Sequence, residues 1–243
     1  MISILDVLYP PRCPICDGVR LSDEPVCCPG CLSKISFISE PYCLCCGRPL
    51  SADEREFCYD CQKRTRSYAG GVSIAVYEGL WRESIVRFKY HSREEYASWY
   101  AEQLILRFSD RLRNLHADTV LAVPMHERKV RKRGYNQAES LAKELAVRMG
   151  VPFCKGVLQR TRYTAPQKEL SDVARLQNLT MAFAVDEEKL TAYKKDHAFE
   201  RVILVDDIYT TGSTMEACAR LLLKAGAKAV APVTAAIAGG FVS

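Results

Sequence analysis

Apolar and polar positions divide the chain into two unlike stretches. From Tyr68 onward, short apolar runs alternate with segments whose apolar residues recur at helical spacing. "GGVSIAVYEG" (70–79) predicts a strand, and "LWRESIVRFKY" (80–90) sets Trp81, Ile85 and Phe88 on one helical face. Residues 95–112 predict a second helix, and "TVLAVPM" (119–125) a buried strand followed by a basic loop. A further helix covers 136–150, where Gly150 is a stop signal. "RVILVDDI" (201–208) predicts a strand and 214–227 a helix, with Met215, Cys218, Leu221, Leu222 and Ala225 on one face before Gly226. A last strand covers 229–238. Continuous apolar strands alternating with helices imply an α/β fold whose parallel sheet is covered on both faces. Ligands of such sheets bind beyond the carboxyl ends of the strands. Those ends carry "MHERKVRKRGYNQ" and "DDIYTTGST".

Before Tyr68 the pattern is set by cysteine. Ten of the 12 cysteines precede residue 62. Cys13, Cys16, Cys28 and Cys31 recur thirty residues later as Cys43, Cys46, Cys58 and Cys61. Each unit reads C-x2-C, eleven residues, C-x2-C, a spacing that closes a tetrahedral Zn(Cys)4 site. A reduced, metal-free cluster or a disulfide framework is the alternative. Sequential sites, one per repeat, fit the period, with cross-bracing of the first and third pairs also open. Four protein ligands leave no position for a substrate, so both zinc ions are expected to be structural. Cys27 and Cys45 lie outside the register, and Cys154 and Cys218 read as small buried hydrophobes. The expected division is a ribbon domain over 1–66 and an α/β domain over 67–243.

The metal changes the charge balance. The formal net charge is +5, with eight Lys/Arg against nine Asp/Glu in residues 1–66. Eight thiolates and two zinc ions bring the whole loaded protein to about +1. Bulk basicity therefore gives no reason to expect nucleic acid. The N-terminal stretch lacks a basic region and meets Asp6 and two prolines early, against a cleaved signal peptide. "AVAPVTAAIAGGFV" is shorter than the ~20 residues of a membrane helix and contains Pro232. A cytoplasmic protein without membrane insertion is expected.

"VILVDDIYTTGST" (202–214) carries the densest chemistry. Asp206 and Asp207 follow four apolar residues, so they emerge where the strand leaves the core. Two adjacent carboxylates there repel unless hydroxyls, amides or a hydrated metal meet them. Thr210, Thr211, Gly212, Ser213 and Thr214 lead into a helix N-terminus, whose free N–H groups and dipole suit a phosphate. Acids for two vicinal hydroxyls beside a phosphate cradle describe a ribose 5-phosphate.

This pattern resembles the 5-phosphoribosyl-1-pyrophosphate (PRPP) motif of type I phosphoribosyltransferases. Together with the cysteine repeat, "LYPPRCPIC", "FKY" (88–90), "VPMHERKVRKRGYNQAE" (123–139) and "RTRYTAPQKELSDVARLQNL" (160–179), it resembles the ComF family. The resemblance implies a type I phosphoribosyltransferase fold, a parallel sheet with a hood, preceded by a double zinc ribbon. It implies Asp206 and Asp207 at the ribose hydroxyls, residues 210–214 at the 5-phosphate, Arg133 and Gly134 near pyrophosphate, and Mg²⁺ with PRPP. The segment from Arg160 to Leu176 would be a flap, with a plain solvated loop as the alternative. Purine enzymes of this type usually carry an acid where this chain has Thr210, which disfavours a purine acceptor. Catalytic residues are not assigned.

Arg128, Lys129, Arg131, Lys132 and Arg133 form a second candidate, with Tyr135 beyond them as a base-stacking ring. The ComF resemblance implies DNA uptake in natural transformation, with single-stranded DNA and a helicase-like partner. Two functions stand side by side: a PRPP-binding protein that handles incoming single strands, and an active phosphoribosyltransferase of nucleotide metabolism. The four histidines remain unassigned, His126 in the basic segment included.

Overall fold

Local sequence explains most element boundaries in the computed structural model, which describes residues 10–21, 23–162 and 181–239. The expected flap lies outside the described residues from position 163 onward. Two short helices, α1 (Pro29–Leu32) and α2 (Tyr59–Lys63), each begin just after the first cysteine of a closing pair. Then come β1 (Val72–Val76), α3 (Gly79–Tyr90), α4 (Tyr96–Asn114) and β2 (Thr119–Ala122). The next elements are α5 (Glu127–Arg133), α6 (Gln137–Met149), β3 (Leu158–Arg160), β4 (Phe183–Val185) and α7 (Glu187–Tyr193). The chain closes with β5 (Arg201–Tyr209), α8 (Ser213–Lys224) and β6 (Ala229–Ile237).

The main sheet is parallel, in the order β1-β6-β5-β2. Val202 to Val205 are consecutively buried, so both faces of the central strand are covered, as the unbroken apolar run predicts. Helices α4 and α6 pack together over β1, β2 and β5, while α8 packs on β5 and β6. Trp81, Ile85 and Phe88 are buried along α3, and Met215, Cys218 and Leu222 along α8. Leu221 and Ala225 sit at the margin of that face, only partly buried.

Two expectations change. The strand expected over 119–125 stops at Ala122. Val123 still donates its N–H to the Val205 carbonyl at 2.8 Å, but Pro124 has no N–H to continue the ladder. The basic loop is instead the helix α5. His126 caps its start by accepting from the Arg128 N–H, and Gly134 ends it in the left-handed region at φ 88°. Seven residues rich in arginine and lysine are compatible with a helix once both ends are capped.

The ribbons pack directly on the α/β half. Asp17, in the first ribbon, accepts from the Arg93 guanidinium at 2.6 and 2.9 Å and from the Tyr96 hydroxyl at 2.5 Å. Ser84 of α3 donates to the Pro14 carbonyl at 2.5 Å, and Arg87 donates to the Ile15 carbonyl. Between the ribbons, Ile38 donates its N–H to the Ile74 carbonyl on β1 at 2.8 Å. In the second ribbon, the Leu44 and Cys45 carbonyls each accept at 2.9 Å, from the Gly70 and Gly71 N–H groups. A Cβ at Gly71 would sit 2.6 Å from the Cys45 carbonyl oxygen and the Cys46 carbonyl carbon. Only glycine allows the two backbones to approach so closely. Gly71→Ala is expected to destabilise the protein by about 2 kcal/mol, read as a lower denaturant midpoint with an unchanged slope.

Candidate functional site

The cysteines converge as two separate clusters, Cys13/Cys16/Cys28/Cys31 and Cys43/Cys46/Cys58/Cys61, with the ligand atoms of each within 4.8 Å of one another. Pairing is therefore sequential, one site per repeat. Sγ separations of 3.7 Å (Cys13–Cys28), 3.9 Å (Cys16–Cys28) and 3.7 Å (Cys46–Cys58) match the tetrahedron edge of about 3.8 Å that Zn–S bonds require. They are far too long for disulfides. The residues fit structural zinc. Cys27 and Cys154 stand outside both clusters, and burial pushes each thiol up to about 12, so neither is a reactive thiolate.

At the carboxyl end of β5 the two aspartates lie side by side. Asp207 is buried, and the Asp206 carboxylate accepts the Asp207 backbone N–H at 2.9 Å. Lys89, from α3, reaches the Asp207 carboxylate at 2.9 Å with most of its side chain buried. Burial and then repulsion from Asp207 push Asp206 up to about 7, against the pull of Lys89. Lys89 is the candidate site residue that sequence reasoning missed. The motif "FKY" contained it, but only folding brings position 89 to positions 206 and 207.

The basic segment splits in two. Lys129 is partly buried, and burial followed by the charges of Arg160, Arg133 and Lys89 depresses its ammonium, with Asp207 opposing. Arg133 donates to Gln137 Oε1 and to the Tyr90 hydroxyl, both at 3.0 Å, and lies over the Tyr90 ring. These cations gather on the side of the acid pair. Arg128, Arg131 and Lys132 are exposed instead. Tyr135 turns inward: its hydroxyl donates to the Phe88 carbonyl, and its ring packs 5.8 Å from Phe88.

The turn from Thr210 to Thr214 links β5 to α8. Gly212 is in the left-handed region at φ 76° and precedes the first helical residue, Ser213. The N–H groups of a helix's first turn have no intrahelical partner, and glycine has no side chain with which to cap them. Thr211 Oγ1 accepts only weakly from the Ser213 N–H, at 3.4 Å, and pairs with Ser213 Oγ at 2.9 Å. Carboxylates, cations and an open helix terminus thus share one end of the sheet, an arrangement able to hold a hydroxyl-bearing polyanion.

A family model for the double zinc ribbon domain matches residues 4–62, and one for the phosphoribosyl transferase domain matches 130–239. Competence protein F of Haemophilus influenzae is 32% identical over 222 residues, covering 90% of this chain and 93% of its own. The chain belongs to the ComF family. ComF-type similarity extends to the DNA utilization protein YhgH of Escherichia coli, 30% identical over 82% of this chain and 85% of that one. Competence protein ComFC of Bacillus subtilis is 28% identical over 84% and 80%. Among the described residues of this ComF protein, no helix is long and apolar enough to cross a membrane.

The acid pair makes the stability of the ComF fold depend on pH. Asp206 is raised from 3.8 to about 7, so the folded state holds its proton more tightly than the unfolded chain. Stability from this group is present at low pH and lost as pH rises towards 7. Asp206→Asn removes the ionisation, so its denaturant midpoint should gain on that of the natural protein between about pH 4 and 7 and stay level above that. Lys89→Met should move the carboxyl of Asp206 above its present value, as read by ¹³C NMR titration. Metal analysis should return two zinc ions per chain, and one for Cys58→Ser.

Proposed function

We propose that this protein binds PRPP and acts in DNA uptake, where it handles incoming single-stranded DNA. The observation that carries the ligand is the side-by-side pair Asp206 and Asp207, met by the half-buried cation Lys89, one turn of chain before the open N-terminus of α8. Asp206 and Asp207 would accept from the ribose 2′- and 3′-hydroxyls, and Thr210 to Thr214 would hold the 5-phosphate. Arg133 and Gly134, joined by Lys89 and Lys129, would face the pyrophosphate. That group carries the largest charge of the ligand, and cations close to it are worth most where water is excluded. Mg²⁺ would arrive with PRPP and screen the carboxylates; its chemistry is to withdraw charge from the leaving pyrophosphate.

The biological setting rests on the relatives, which are named for competence and for DNA utilization. Single-strand handling is favoured by one further observation. Arg128, Arg131 and Lys132 are exposed on α5, and Arg131 pairs with the exposed Glu127 across 3.7 Å. Such a charge face suits a phosphate backbone and predicts a steep salt dependence. Binding, rather than turnover, is what the site supports best.

Calorimetry tests the ligand. The zinc-loaded protein should bind PRPP in the presence of Mg²⁺, and Asp206→Asn/Asp207→Asn should weaken binding at least tenfold. An aspartate double variant with full affinity would remove the sugar-phosphate reading. Single-stranded oligonucleotides should bind less tightly as salt rises. Replacing Arg128, Arg131 and Lys132 together by Gln should weaken that binding while leaving PRPP affinity intact.

A further inference from the structure

The turn from Thr210 to Thr214 does not stand alone: its underside is built by the ribbon half of the chain. Arg48, in the second ribbon, is 7% exposed. Its guanidinium donates to Asp60 at 2.7 Å, two residues from Cys58 and one from Cys61, and more weakly to the Thr210 carbonyl at 3.4 Å. Arg66, just after that ribbon, donates to the Thr211 carbonyl at 2.9 Å and lies over the Tyr68 ring. Ser67 then donates its N–H and its hydroxyl to the buried carboxylate of Glu216, at 2.9 and 2.8 Å, and so ties the same segment to the first turns of α8. The Tyr68 and Tyr209 hydroxyls pair at 2.6 Å directly beneath Gly212, where a Cβ would overlap both.

These contacts have a direction. In a trans peptide the N–H points opposite to the C=O. Two arginines drawing the Thr210 and Thr211 carbonyls towards the ribbon therefore turn the Thr211 and Gly212 N–H groups away from it. Among the described residues neither N–H donates to a protein acceptor. With the first turn of α8 they form a run of outward N–H groups of the kind that binds anions. The arginines hold this position at a cost: among the described residues, neither buried Nε has a hydrogen-bond partner.

We infer that Arg48 and Arg66 are positioning residues for the phosphate turn, so that the zinc-held second ribbon presets the backbone N–H groups that grip the 5-phosphate. The inference rests on the sugar-phosphate reading of the site and extends it to a part of the chain outside the phosphoribosyltransferase match. Neither arginine touches the ligand. They act through the backbone of Thr210 and Thr211, with Asp60 fixing Arg48 from the metal-bound side.

The experiment compares ligands that do and do not carry the 5-phosphate, on full-length, zinc-loaded protein with its metal content measured. Calorimetry would follow PRPP with Mg²⁺, ribose 5-phosphate, and pyrophosphate with Mg²⁺. Arg66→Gln should weaken PRPP and ribose 5-phosphate about tenfold, the worth of a charge-assisted hydrogen bond, and leave pyrophosphate unchanged. Arg66→Lys, which restores the charge, should recover part of the loss. Amide hydrogen exchange across 209–214 in the ligand-free protein should accelerate in Arg66→Gln while exchange in β2 stays constant. Should Arg66→Gln fold poorly, Arg48→Lys, which keeps a cation for Asp60 but lacks the second guanidinium nitrogen that reaches Thr210, should show the same selective loss. Unchanged affinities and exchange, or an equal fall for all three ligands, would overturn the positioning role while leaving the sugar-phosphate reading intact. A natural protein that binds neither PRPP nor ribose 5-phosphate would overturn both.

Discussion

Two adjacent carboxylates lie near the carboxyl end of a buried strand, and they cannot both stay ionised there without a cation. That repulsion organises the carboxyl end of the sheet. Asp206 is pushed up to about 7, and Lys89 is brought in from α3 to face Asp207. Lys89 can serve only if α3 is fixed in place, and the first ribbon fixes it. Pro14 and Ile15 accept from Ser84 and Arg87 of that helix, and Asp17 clasps Arg93 and Tyr96 at the start of the next. A thirty-residue ribbon has too little core to hold itself, which is why its shape comes from metal-binding cysteines. The strand's electrostatics and the ribbon's metal are thereby parts of one mechanical path.

The second ribbon takes the other half of the site. Its Arg48 and the following residues Arg66 to Tyr68 lie against the turn after β5. The match to the ribbon family ends at residue 62, yet hydrogen bonds cross that boundary repeatedly. The α/β half provides the strand ends, and the ribbons determine how the segments beside those ends are held.

Sequence spacing was informative wherever the chemistry is local. The thirty-residue cysteine period predicts two sequential clusters, and the apolar run 202–205 predicts a central strand ending in acids. It was weaker where the outcome depends on caps: His126 and Gly134 convert a charge run into α5, and Pro124 shortens β2. It was silent on long-range pairing. Nothing in the neighbourhood of Lys89 marks it as the partner of Asp207, and Arg48 resembles any surface arginine of a ribbon. The five clustered cations look equivalent along the chain, yet folding turns Lys129 and Arg133 inward and leaves Arg128, Arg131 and Lys132 outward.

The bond from Ile38 to the Ile74 carbonyl has a separate consequence. β1 is one of the two edge strands of the sheet, and its free side would otherwise expose unpaired backbone groups beside buried Val72, Ile74 and Ala75. An apolar edge of that kind recruits strands from other molecules. The inter-ribbon segment crosses that edge and takes up the Ile74 carbonyl, which interrupts the row of acceptors an incoming strand would need. A fragment lacking the ribbons would lose that interruption and expose an aggregation-prone edge.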